Sequence, residues 1–230
     1  MSAPLYFHGR PVQHFDSANL RCTLYILAPY SYVYHIGGAL HQRVDAVFAA
    51  YQQDEVRDLF QRRTLKQSIV RGQRNRHFSF NSGVPYKYCS ENDTLPIETG
   101  PRCVQLAREL VTATTEAVLH YDPGFNEVLS VMYMEDMAMN WHTDNEVGLG
   151  DVVASLSLGA ACRMRFRGRK SLRKDTPAIG DLPKLTLDLT HGDIVIMQGY
   201  VQEYYEHCIE NLGGFRIAAT CRYIDARIHH

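Results

Sequence analysis

Glu127-Val128-Leu129-Ser130-Val131-Met132-Tyr133-Met134 is the first of six short β-rich runs that follow the Pro123-Gly124 turn. The others are residues 151–158, 163–167, 184–189, 193–198 and 215–224, separated by Gly, Pro and charged turns. Short runs of branched and aromatic residues between turn formers read as strands, and many of them in succession read as an all-β jelly roll. Upstream the period changes. Val44, Val47, Phe48 and Tyr51 recur at helical spacing within residues 38–63, with charged residues and Gln between them. Pro101 opens a second amphipathic stretch that carries Val104, Ala107, Val111, Thr114 and Val118 on one stripe. The expectation is an α+β chain with a double-stranded β-helix (jelly-roll) core and a helical N-terminal extension. Residues 1–120 supply the extension and residues 121–230 the core, within one compact structural domain.

Length and composition bound the function. A chain of 230 residues with 45% hydrophobic residues can bury one substantial core. A net charge of -1 excludes a uniformly basic nucleic-acid glove but leaves local basic surfaces open. The six cysteines have no Cys-x-x-Cys or metal-finger spacing, so they read as reduced thiols. No apolar run reaches membrane-spanning length, and no charged-then-apolar leader opens the chain. An intracellular protein is expected, with nucleus and cytoplasm not distinguished and no obligate protein partner evident.

Inside the β-rich half lies His142-Thr143-Asp144, and far downstream a single His207 in Tyr-Tyr-Glu-His-Cys. His-x-Asp alone is common. In an extended segment, however, residues 142 and 144 share a side, so both can face one ion, with His207 arriving from a distant strand. Two imidazoles and a carboxylate on one face of a metal leave positions open for a co-substrate and dioxygen, the arrangement used by non-haem Fe(II) oxygenases. Zinc fits the same three groups in isolation. The strand-like run Arg216 to Arg222 favours iron, because period two puts both arginines and Thr220 on one face, and a guanidinium grips a carboxylate through two parallel hydrogen bonds.

Taken in order, these residues resemble the AlkB-like Fe(II)/2-oxoglutarate dioxygenases. The pieces are Tyr133, the run from His142 to Glu146, Ser155-Leu156-Ser157-Leu158-Gly159, His191-Gly192-Asp193, His207, and Arg216 through Arg222. The resemblance covers roughly residues 80–225. It implies that His142, Asp144 and His207 bind Fe(II), and that Arg216 and Tyr133 hold the far carboxylate of 2-oxoglutarate. Thr220 belongs to the same co-substrate face, and Arg222 is expected in a structural or co-substrate role near Asp144. It also implies that O2 and 2-oxoglutarate are consumed and that an N-methyl group is hydroxylated, then lost as formaldehyde. Two positions depart from the family: Val131 and Ala218 stand where asparagines are common, which removes two polar contacts to the co-substrate.

For the substrate, the resemblance points to methylated DNA or RNA. Glu146 matches a position where an acidic group faces a cationic methylated base, and Tyr86 and Tyr88 resemble an aromatic lid suited to stacking on an extruded base. Two basic runs could follow a phosphate backbone: Arg62, Arg63, Lys66, Arg71, Arg74, Arg76 and His77 before the lid, and Arg163, Arg165, Arg167, Arg169, Lys170, Arg173 and Lys174 after the metal segment. Charge runs are commonly solvated faces. In the second run, however, alternation sets Arg163, Arg165 and Arg167 on one strand face, and Arg165 and Arg167 are taken as substrate contacts. The alternatives are a hydroxylase of a protein side chain or small metabolite on the same iron core, and a catalytically impaired nucleic-acid-binding or 2-oxoglutarate-sensing protein.

Overall fold

In the computed structural model, residues 13–17, 20–38, 41–63, 73–85, 94–169 and 182–228 are described. The elements in order are β1 (Gln13–Ser17), β2 (Leu20–Ala28), β3 (Ser31–Gly37), α1 (His41–Tyr51), α2 (Asp54–Arg57), β4 (Phe78–Gly83), β5 (Thr94–Leu95) and α3 (Arg102–Leu119). They continue as β6 (Glu127–Tyr133), β7 (Ala138–His142), β8 (Leu149–Gly159), β9 (Cys162–Gly168), β10 (Leu185–Leu189), β11 (Ile194–Gly199), α4 (Val201–Tyr204), β12 (Tyr205–Asn211) and β13 (Arg216–Ile224), closed by a 3-10 turn at Ala226–Ile228.

The strands form two sheets. Nine pair in the order β1-β2-β3-β11-β8-β13-β6-β4-β5, and four in the order β10-β9-β12-β7. This is the expected jelly roll, and all six expected runs are strands within it. The periodicities did not foretell how much sheet the N-terminal half supplies: β1 to β5 all join the large sheet, with β3 hydrogen-bonded to β11 and β4 to β6. The helical stretch at 38–63 is broken into α1 and the single-turn α2.

Alternation along the strands divides the interior into two cores. On β11, Ile194 and Ile196 face the helices while Val195 and Met197 face the small sheet; on β13, Ile217, Ala219 and Cys221 face the helices while Ala218 faces the small sheet. A strand buried on both faces reads as a nearly continuous apolar run, which is why these segments were legible. Helix α3 covers one face with Val104, Ala107, Val111, Thr114 and Val118, all buried as the stripe requires, and ends where His120 takes a left-handed φ of 63°. Between the sheets lies the second core, and within it the cavity described below.

Gly159 makes the passage from β8 in the large sheet to β9 in the small one. Its φ is +83°, and a Cβ there would sit 2.5 Å from the Phe215 carbonyl oxygen, so only glycine fits. His191 accepts the Gly159 N–H at 2.9 Å through Nδ1 and meets Asp45 at 3.0 Å through Nε2, a structural use of the His-Gly-Asp turn. Among the described residues no helix is long and apolar enough to cross a membrane.

Candidate metal and co-substrate site

β7 and β12 set the two histidines. His142 closes β7, His207 lies within β12, and the two are direct partners in the antiparallel register, with ring centroids 4.2 Å apart. The next paired residues are Met139 and Ile209, so β7 carries one extra residue against β12. Such a bulge re-aims side chains, and here it lets both Met139 and His142 line the same cavity. Asp144 does not lie on an extended strand, as the spacing suggested, but just past the end of β7. Its backbone N–H donates to Gln202 Oε1 at 3.0 Å, which ties the loop to α4.

The ligand atoms of His142, Asp144 and His207 all lie within 4.8 Å of one another. His142 Nδ1 is 2.8 Å from the Asn140 carbonyl oxygen, so a proton there leaves Nε2 as the lone-pair donor. Asp144 divides its oxygens: Oδ2 is 3.6 Å from His207 Nε2, and Oδ1 is 3.4 Å from Arg222 Nη1. Burial, reinforced by His142 and opposed by Asp144, pushes the His207 pKa down to about 3, so its imidazole is neutral as a metal ligand must be. Burial opposes ionisation of Asp144, but His207, His142 and Arg222 outweigh it and hold its pKa below the usual carboxylate range. Two imidazoles and one carboxylate at this spacing fit a divalent first-row metal.

Arg216 and Tyr133 line the same cavity, whose volume is about 50 Å³. Arg216 is 1% exposed; one Nη donates to Ser157 Oγ at 3.1 Å, while Nε and the other Nη are buried with no partner. A buried guanidinium left unpaired costs several kcal/mol, so the site calls for an anion. A carboxylate fits. Burial raises the Tyr133 pKa, opposed by the neighbouring Arg216 guanidinium, and its hydroxyl also meets Met139 Sδ at 4.0 Å. Thr220 Oγ1 lies 3.0 Å from Ser155 Oγ, both on the cavity wall. Val131 and Ala218 also line it and are direct cross-strand partners. The two departures from the resembled pattern are therefore one local change. Replacing both members of a polar pair by apolar groups can be close to neutral, whereas replacing one is costly.

Of the residues expected to meet substrate, Glu146 is half-buried, with Oε2 shielded from solvent and without a partner; burial and then Asp144 raise its pKa. Tyr86 and Tyr88 lie outside the described residues, as do Lys66, Arg71, Lys170, Arg173 and Lys174. The arginines of β9 share one face as alternation required, and each meets a carboxylate: Arg163 pairs with Asp188 at 2.7 Å, Arg165 with Glu210, and Arg167 with Glu206. Arg167 also stacks 3.9 Å above the Trp141 ring. Positive charge on this strand is balanced locally.

Four residues near the site were not read from the sequence as site residues. Gln202 anchors the Asp144 loop, and Asn81 and Glu127 form a buried cluster with Arg222. His77, read only as part of a basic run, lies with its ring centroid 6.0 Å from that of Tyr133, and its Nδ1 is buried without a partner. Burial and then His142 push its pKa down to about 4, so it is no cation at neutral pH. Glu127 alone had a signal, a charged residue opening an apolar strand run.

The family description "2OG-Fe(II) oxygenase superfamily" matches residues 38–219. Among curated proteins, the chain is 28% identical over 127 residues to alpha-ketoglutarate-dependent dioxygenase alkB homolog 3 of Mus musculus, covering 54% of this chain and 42% of that protein. The Homo sapiens protein of the same name matches equally, and that of Bos taurus is 26% identical over 151 residues, 64% of this chain and 50% of that one. The aligned segments thus span half or less of these relatives. A solved structure of OsALKBH1 superposes with a TM-score of 0.54 at 15% identity, covering 87% of this chain and 99% of that one. That likeness speaks to the fold.

Proposed function

Because the chain belongs to the 2OG-Fe(II) oxygenase superfamily, we propose that it is an AlkB-like dioxygenase that removes methyl groups from ring nitrogens of nucleic-acid bases. One observation carries the dioxygenase reading: three metal-competent donors and an unpaired buried guanidinium share one cavity. When Fe(II), 2-oxoglutarate and O2 are bound, the centre supplies hydroxylation of a C–H bond while 2-oxoglutarate is decarboxylated to succinate and CO2. His142, Asp144 and His207 would hold the iron. Arg216 would take the far carboxylate of the co-substrate, with the Tyr133 hydroxyl beside it and the apolar wall of Leu129, Val131 and Ala218 excluding water. An N-methyl group hydroxylated at its carbon would be a hemiaminal, whose C–N bond breaks with the electron pair returning to nitrogen and the hydroxyl proton lost, releasing formaldehyde, so demethylation needs no further catalytic group. The base-demethylating part rests on the alkB homolog 3 relatives and on Glu146, whose unpartnered oxygen suits a cationic base.

A second reading is favoured by the ion pairs of Arg165 and Arg167. With those charges balanced, the same core could hydroxylate a protein side chain or small metabolite instead. Anaerobic loading with Fe(II) and 2-oxoglutarate, then O2 in the presence of methylated oligonucleotides, peptides or small amines, separates the two. Formaldehyde in step with succinate on oligonucleotides supports demethylation; hydroxylated peptide or amine with inert oligonucleotides supports the second reading. No succinate under any condition overturns both.

A further inference from the structure

Behind Asp144 lies a buried ion pair that the metal and co-substrate roles do not use. Glu127 and Arg222 are direct cross-strand partners on β6 and β13, with exposures of 0% and 1%. Arg222 donates Nε to Glu127 Oε2 at 2.7 Å and Nη2 to Glu127 Oε1 at 2.8 Å, and the Asn81 amide of β4 donates to the same Oε1. A carboxylate with no access to water is tolerable only when so fully paired.

The guanidinium fork is planar and rigid, so gripping it by one edge fixes where its remaining N–H groups point. With Nε and Nη2 held by Glu127, Nη1 meets Asp144 Oδ1 at 3.4 Å. The other Asp144 oxygen stays on the imidazole side, 3.6 Å from His207 Nε2. Were the fork not held, its best remaining carboxylate partner in this cluster would be Asp144, and a two-toothed grip there would compete with a metal for both oxygens.

We propose that Glu127 is a positioning residue of the metal centre: it restrains Arg222 so that the guanidinium steadies Asp144 through one oxygen and leaves the other to the metal. This rests on His142, Asp144 and His207 being the metal ligands. Asn81 extends the restraint to β4, so three adjacent strands hold the ligand's orientation.

Mn(II) binding to the metal-free protein, read by quenching of Trp141, the single tryptophan and the neighbour of His142, tests this together with 2-oxoglutarate calorimetry at saturating Mn(II). Glu127→Gln keeps the shape and removes the charge. It is expected to weaken Mn(II) binding about tenfold or more while 2-oxoglutarate affinity at saturating metal stays within about threefold. The double variant Glu127→Gln/Arg222→Gln removes the competing cation together with its steadying contact to Asp144, and is expected to recover part of the lost Mn(II) affinity, to within about fivefold of wild type. Loss of general packing would instead weaken both ligands and leave the double variant no better than the single. Wild-type Mn(II) affinity in Glu127→Gln, or a double variant as weak as the single, overturns the proposal. Should the single variant lack the wild-type circular dichroism, the double variant decides: Mn(II) binding within about fivefold of wild type supports the restraint and a larger loss overturns it. If the wild-type protein binds no Mn(II), the ligand assignment itself falls and the restraint with it.

Discussion

Arg216 and Tyr133 stand opposite each other on β13 and β6, with the guanidinium carbon 5.0 Å from the phenol ring centroid. The ring covers one side of a cation whose Nε and one Nη have no partner, so the free edge is presented to the cavity. Arg216→Ala is expected to weaken 2-oxoglutarate binding by about 2–5 kcal/mol, the range for truncating one partner of a buried charged pair. Arg216→Lys should recover part of that, since an ammonium keeps the charge but not the fork. Calorimetric titration at saturating Mn(II) measures both, and an unchanged affinity in Arg216→Ala would assign the carboxylate to another cation.

Glu146 should set base preference. Its buried, unpartnered Oε2 favours a cationic ring over a neutral one, so Glu146→Ala should lower turnover on 1-methyladenine and 3-methylcytosine oligonucleotides more than on neutral methylated bases. Competition assays on mixed oligonucleotides report the ratio. A uniform loss on all bases would place Glu146 in loop structure instead.

Glu206 and Glu210 hold the arginines of β9 in ion pairs. If this face follows phosphates, Glu206→Gln/Glu210→Gln frees two cations. Oligonucleotide affinity should then rise severalfold at low salt, and the salt dependence should steepen by roughly one to two counterions. Base preference should not change, because phosphate contacts carry no sequence information. Equal affinity and slope for variant and wild type would remove this face from the substrate path.

Acid should destabilise the metal-free protein well before its carboxylates titrate. His207 and His77 are pushed down to about 3 and about 4, each mainly by burial and further by His142. Unfolded histidines titrate near 6.5, so between those values the unfolded chain binds protons that the folded chain refuses. Their contribution is therefore complete above pH ~6.5 and is lost as pH falls toward 4 and then 3. The Tm of the metal-free protein should drop steadily from pH 7 to 5, and His77→Phe should flatten the slope. A Tm constant over that range would contradict the buried neutral imidazoles.

Much of the fold could be read along the chain. The run from Arg216 to Arg222 alternates as β13 does, with Arg216, Ala218 and Thr220 lining the cavity and Ile217, Ala219 and Cys221 in the helix-side core. The α3 stripe was equally legible, because a helix face is defined by residues three and four apart. β7 and β12 were harder. Their inward residues include His142 and His207, and β12 alternates these with Glu206, Cys208 and Glu210, so neither segment has the apolar signal of a core strand.

Residue identity alone determined which groups could serve a metal or a dicarboxylate: His142, Asp144, His207 and Arg216 have that chemistry wherever they are placed. Only the tertiary structure decided which partner each one meets. It put Arg216 in an unpaired pocket but gave Arg222 to Glu127, balanced Arg165 and Arg167 with glutamates, and made Val131 and Ala218 neighbours. Those outcomes depend on the register between strands distant in sequence. Register follows from the pairing of whole sheets and the one-residue bulge in β7, because shifting a strand by a single residue turns every side chain to the opposite face.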